Sequence, residues 1–215
     1  VDVARQLMPT NARNLQETLD WTIKLLAEFL RADVAFLRRN DHSAGVSILS
    51  AEFPRRTEIP DPDPLAVVPF DADPIFGALR DLKRPMVNRR SLLDEDSDAY
   101  VKRVEEGVGE ASFSGAVVPL LSGDVTEGAL GFLHYREVQW TIPEINALEA
   151  VAAMLVQLNA RTEAEGRMEY RALHDDLTGL ANRRAVLEEI DRRLREGTNR
   201  LALLFMDLDR FKFMN

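Results

Sequence analysis

The chain has 215 residues, enough for one large domain or for a medium domain plus part of another. Its 46% apolar content supports a packed core, and a net charge of −9 argues against a large nucleic-acid-binding surface. The absence of cysteine excludes disulfides, thiolate nucleophiles, iron–sulfur clusters and cysteine-linked chromophores from this segment.

Residues 1–10 read as an N-terminal tail. From Asn11 to Arg31, Leu15, Leu19, Ile23, Leu26 and Leu30 recur at the three-and-four spacing of a helix face. Trp21, Leu25 and Phe29 form a second stripe, so this helix is expected to make contacts on two sides. Val34 to Leu37 reads as a strand, Arg38 to Asp41 as a turn, and Val46 to Phe53 as a second strand. Pro54, Pro60, Pro62, Pro64, Pro69 and Pro74 then punctuate a stretch expected to hold no regular element. Such long loops often cover a binding site.

A short helix from Asp73 to Leu82, a strand at Pro85 to Asn88 and a helix from Ala99 to Val108 follow. Ala116 to Leu121 and Gly128 to Tyr135 form a hairpin whose separation predicts a longer or bulged turn. His134, alone on its strand, is a formal candidate for an axial haem ligand; such a histidine is more often simply packed. Thr141 and Glu144 have capping-box spacing, with Pro143 just inside the helix they start. That helix passes Leu148, Val151, Leu155 and Leu158, then turns polar while keeping helix formers to about Ala172. Its apolar part, Ala147 to Leu158, is too short for a membrane span and carries Glu149. No basic-then-apolar start suggests a signal peptide, so a cytoplasmic location is expected, with no membrane and no nucleic-acid partner.

Beyond it, Asp175 to Leu180 is a turn, Asn182 to Glu196 an amphipathic helix that Gly197 can stop, and Leu201 to Met206 a strand buried on both faces. On residue type alone Asp207 and Asp209 merely end that strand, and Lys212 is a solvated lysine. Two blocks say more. His174-Asp175-Asp176-Leu177-Thr178-Gly179-Leu180-Ala181-Asn182-Arg183-Arg184 resembles the opening motif of GGDEF domains, the diguanylate cyclase family. Phe205 to Asn215 resembles that family's first palm strand and the turn after it, at the right distance beyond a helix.

The resemblance implies a palm-like domain in which two subunits each hold one GTP and join the two into cyclic di-GMP. Asp207 matches the metal-ligand aspartate, and Leu208 the position whose backbone carbonyl also ligates Mg2+. Phe211 and Lys212 match the turn near the phosphates, and Asn215 the asparagine that recognises guanine. Asp175, Thr178, Asn182 and Arg183 are turn and capping positions rather than catalytic ones. In the family the signature hairpin lies beyond the position of Asn215, so residues 174–215 are expected to be catalytically incomplete by themselves.

Residues 11–158 more weakly resemble a GAF sensor domain, with a PAS domain as competitor. The likeness rests on the entry helix, the proline-rich cover, the Val117 to Leu121 strand with its partner, and the long exit helix. The expected class is therefore α+β: a GAF-like antiparallel sheet flanked by helices, a connector helix over 159–173, and a truncated palm-like (ferredoxin-like) GGDEF start over 174–215. The GAF ligand, if there is one, is a small molecule the sequence does not name. A homodimer through the entry and connector helices is expected, with Leu155 and Leu158 on its seam. Two alternatives stand beside a GTP-condensing parent. One is a degenerate GGDEF domain that controls a cyclic di-GMP phosphodiesterase; the other is a module that only binds a ligand or dimerises.

Overall fold

The computed structural model describes residues 3–72, 74–89, 102–103, 106, 114–197, 200–204 and 206. They divide into two compact units, Val1–Glu163 and Ala164–Asn215.

In the first unit a short helix α1 (Val3–Leu7) and a longer α2 (Leu15–Leu30) precede the strands. Six strands follow: β1 (Val34–Asp41), β2 (Val46–Phe53), β3 (Val67–Pro69), β4 (Met86–Arg89), β5 (Ser114–Ser122) and β6 (Val125–His134). Helix α3 (Pro74–Arg80) lies between β3 and β4. All neighbouring strands pair antiparallel, in the order β3-β2-β1-β6-β5-β4. Helix α4 (Ile142–Leu173) ends the first unit and begins the second.

Alternation along the strands makes two apolar layers. Ala35, Leu37, Val118, Leu120, Leu130 and Phe132 share one cluster with Ile23 and Leu26 of α2 and Leu148, Leu155 and Leu158 of α4. Each large apolar side chain removed from water there contributes about 1.5–3 kcal/mol. The intervening positions supply the other face, where Val117, Ala129 and Phe36 pack with Leu79, Ile75 and Met86. Gly131 lies directly under the Phe36 ring, which a Cβ at that position would strike.

The structure departs from the sequence reading at several places. Arg38 to Asp41 continue β1 instead of turning, because Arg38 and Asn40 are buried and hydrogen-bonded; the turn comes at 42–45. The β5–β6 connection is tight, Gly123-Asp124, and the bulge lies one step inside, between Leu120 and Leu121. Gly123 takes φ +58°, which suits glycine in such a turn. Val67–Pro69 does form a strand within the proline-rich stretch, at the sheet edge where proline is tolerated. Residues 3–10, read as a tail, contain α1 and bury Val3, Leu7 and Thr10. Most of the helix expected over 99–108 lies outside the described residues, although Lys102, Arg103 and Glu106 are helical.

Leu155 is 0% and Leu158 3% exposed inside the unit's own core, which removes them as a seam between subunits. The second stripe of α2 is different: Trp21 and Phe29 face outward at 38% and 68% exposure.

The second unit consists of the end of α4, a turn, helix α5 (Arg183–Arg195) and the segment after it. Residues 201–204 and 206 are not in a strand. A strand takes its hydrogen bonds from a neighbour, and no described segment supplies one. Leu201, Ala202 and Leu203 instead line an apolar groove with Ala185, Val186 and Ile190 of α5.

Candidate sensor face and signalling segment

On the sheet face away from α2 and α4, β1 places Arg38 at 4% exposure. Its Nε donates to Ser47 Oγ (2.9 Å), Nη2 to Ser47 O (2.9 Å) and Nη1 to Leu65 O (2.8 Å). The guanidinium also sits 4.9 Å from the centre of the Phe76 ring on α3. Burial, reinforced by nearby Arg56, lowers its pKa to about 10, so it remains a cation at neutral pH. Arg38 thus ties two strands, the proline-rich segment and α3 together.

A second clasp holds the same segment. Arg56 grips Asp63 through two bonds of 2.9 Å and Glu52 through one of 2.8 Å. Asp63 also accepts from the Leu65 amide, and the Arg56 bonds hold its carboxyl below the usual range. From the following segment, Arg103 donates to Pro64 O at 3.4 Å. The proline-rich cover is therefore held by Arg38 of β1, by its own Arg56 and by Arg103. Sequence reasoning missed Arg38 because Arg-Arg-Asn-Asp looks like a turn; the signal was parity with Phe36, two residues before it.

His134 ends β6 on the opposite, helix-side face. It is 1% exposed, with its ring 5.4 Å from Trp140, and so offers no open face for a haem. Its Nδ1 lies 3.8 Å from Asp33 Oδ2, too far for a hydrogen bond, while that oxygen accepts from the Tyr135 amide at 2.9 Å. Burial pushes the imidazole below its ordinary value of 6.5, and attraction to Asp33 opposes this only in part. Folding therefore favours the neutral ring, whereas the unfolded chain takes up a proton near about pH 6.5. Stability from this group is full above that value and falls as the pH drops below it, down to the folded pKa. Urea midpoints at about pH 7.5 and pH 5.5 are expected to differ less in His134→Phe than in the native protein. Equal pH dependence in both would contradict this.

Between His134 and α4, Thr141 and Glu144 form a reciprocal cap. The Thr141 amide donates to Glu144 Oε2 (2.8 Å), and the Glu144 amide to Thr141 Oγ1 (3.4 Å). Donation to Glu144 Oε2 from the Thr141 amide, and from its hydroxyl at 2.7 Å, holds the Glu144 carboxyl below its ordinary range. From this start α4 runs 32 residues without a break.

In the second unit, Asp175 Oδ1 accepts from the Leu177 and Thr178 amides and from Thr178 Oγ1, at 3.2, 3.0 and 2.9 Å. These donors lower its pKa. Gly179 supplies the φ of +68° the turn requires. Asn182 accepts from the Ala185 amide (3.1 Å) as the cap of α5, and donates back to Ala172 O (2.9 Å). Arg183 is the exposed first residue of α5. Asp207, Leu208, Phe211, Lys212 and Asn215 lie outside the described residues. Among the described residues, no group of three or more His, Cys, Asp or Glu is placed to hold a metal, and no helix is long and apolar enough to cross a membrane.

Comparison with known proteins agrees with both units. The sequence model of the GAF domain matches residues 14–157, and that described as "Diguanylate cyclase, GGDEF domain" matches residues 172–215. Uncharacterized proteins of Mycobacterium bovis and Mycobacterium tuberculosis are 45% identical over 215 residues, covering 99% of this chain. The chain spans about a third of the length of these curated relatives, 34%.

Among solved structures, the GAF domain of an Acinetobacter phosphoenolpyruvate-protein phosphotransferase superposes with a TM-score of 0.59 at 13% identity. It covers 77% of this chain and 92% of its own. A GAF domain of the corresponding Coxiella burnetii protein gives 0.58 at 21% identity, with 77% and 95% coverage. A phycoerythrobilin-bound GAF domain from a cyanobacterial phytochrome gives 0.57 at 16%, with 77% and 98% coverage. At these identities the likeness establishes the fold alone.

Proposed function

The chain belongs to the GAF family and continues into the start of a GGDEF domain, and on that premise we propose that it senses a small molecule and controls cyclic di-GMP synthesis by the protein it is part of. That the chain is a sensory region of a cyclic di-GMP signalling protein follows from the two families together. The observation supporting control is α4: one helix starts at the capped end of the GAF sheet and finishes one residue before the His174–Asp175 turn. A shift of that helix would be passed to the catalytic domain without an intervening flexible linker.

The catalytic domain would use Asp207 and the Leu208 carbonyl to hold magnesium, since a carboxylate and a carbonyl are the hard oxygen donors that ion takes. Bound there, magnesium would neutralise charge on the phosphates of GTP. Phe211 and Lys212 would approach those phosphates and Asn215 would hydrogen-bond the guanine edge. Two subunits are needed to bring two GTP together, and we place their contact on the outward stripe of Trp21 and Phe29, on a cytoplasmic protein. The small-molecule site would lie under the arginine-pinned cover, on the face of Arg38 and Phe76.

The test is to incubate the full-length protein with GTP and magnesium and quantify cyclic di-GMP. Formation of the product is expected. No product from folded, dimeric protein would overturn the cyclase assignment and favour a degenerate domain serving a phosphodiesterase.

A further inference from the structure

The first and last helices of the sensor unit are joined by a contact that the function above does not use. Arg161 of α4 donates through Nη2 to Leu7 O (3.1 Å), at the last residue of α1, and to Thr10 O (2.8 Å), three residues beyond it. Carbonyls at a helix C-terminus lack intrahelical donors and carry partial negative charge, so a guanidinium there satisfies both needs. The same short segment is anchored by burial. Val3 and Leu7 belong to the apolar cluster that contains Leu155 and Leu158 of α4. Thr10, 3% exposed, donates to Gln6 O (3.4 Å) and bonds Thr18 Oγ1 of α2 (3.2 Å). Next to Arg161, Thr162 is 4% exposed and turns its hydroxyl back to Leu158 O (3.1 Å).

Five residues cannot hold a helix in water by themselves, so α1 depends on tertiary contacts such as these. It is a segment that can open while the sheet stays folded. Its grip falls two residues before Glu163, where the sensor unit ends.

We infer that α1 is a strap which holds the root of the exit helix through Arg161, and that releasing it is a second way to move that helix, besides ligand binding. Any pull on α1 reaches Arg161 directly, without passing through the Arg38 face. This rests on α4 being the signal path proposed above.

The experiment is hydrogen exchange in the full-length protein, native against Arg161→Ala. Arg161 is exposed, so its replacement leaves the core intact, and unchanged exchange in β5 and β6 checks this. Amides of 3–10 and of 158–166 are both expected to exchange about tenfold faster in the variant, in proportion to the charged hydrogen bonds lost. Unchanged exchange at 158–166, whether or not 3–10 loosens, would overturn the strap. If both segments loosen while cyclic di-GMP output stays constant, the strap stands and the role of α4 as signal path is what fails.

Discussion

In the full-length protein, Asp207→Ala is expected to reduce cyclic di-GMP formation by about a hundredfold or more, without changing thermal stability by more than a small amount. The size follows from chemistry. Oxygen donors that fix a divalent cation on transferring phosphate supply several kcal/mol of charge stabilisation, and every 1.4 kcal/mol or so is tenfold in rate. On the proposed reading the Asp207 carboxylate would be the acidic member of that donor pair, and the Leu208 carbonyl would survive the substitution without supplying a full charge. The measurement is product formed per enzyme at saturating GTP, alongside a melting curve for each protein. Undiminished turnover in a folded variant would remove Asp207 from the metal site. A parent that makes no product gives no rate to lose, so failure of the cyclase assignment is seen first in the native protein.

What could be read in advance depended on how local the physics is. The face of α2 was legible from Leu19, Ile23 and Leu26 because helical periodicity needs only neighbours in sequence. The start of α4 was legible from Thr141 and Glu144, whose bonds span three residues. The GGDEF start was legible from a motif, and the family match covers the same residues.

Long-range partners were hidden. Arg38 belongs to a strand only because Ser47 and Leu65 supply its acceptors and Phe76 its stacking surface. Val67–Pro69 is a strand only because β2 leaves an edge to pair with. Residues 3–10 look like a tail until Arg161, more than 150 positions later, meets their carbonyls. Residues 201–204 show the converse, since an apolar run with strand composition is no strand without a neighbour.

The same distinction decides the outcome of a second substitution, Leu155→Asp. Read from sequence, Leu155 lies on a seam between subunits, and a charge there should yield folded monomers. Its side chain is instead 0% exposed and packed in the cluster built from α2, β1, β5 and β6. Removing a buried leucine side chain costs about 2–5 kcal/mol, and an unpaired carboxylate in its place adds a desolvation penalty on top. Domains of this kind have about 5–15 kcal/mol of total stability, so most or all of it would be consumed. Leu155→Asp is therefore expected to abolish the cooperative melting transition of the sensor unit. The contrast is Trp21→Asp with Phe29→Asp, both outward on α2, where the fold should survive and only association should weaken. Melting curves with solution mass separate the two cases. A folded Leu155→Asp monomer would return that residue to the subunit seam and contradict the packing of α4 against the sheet.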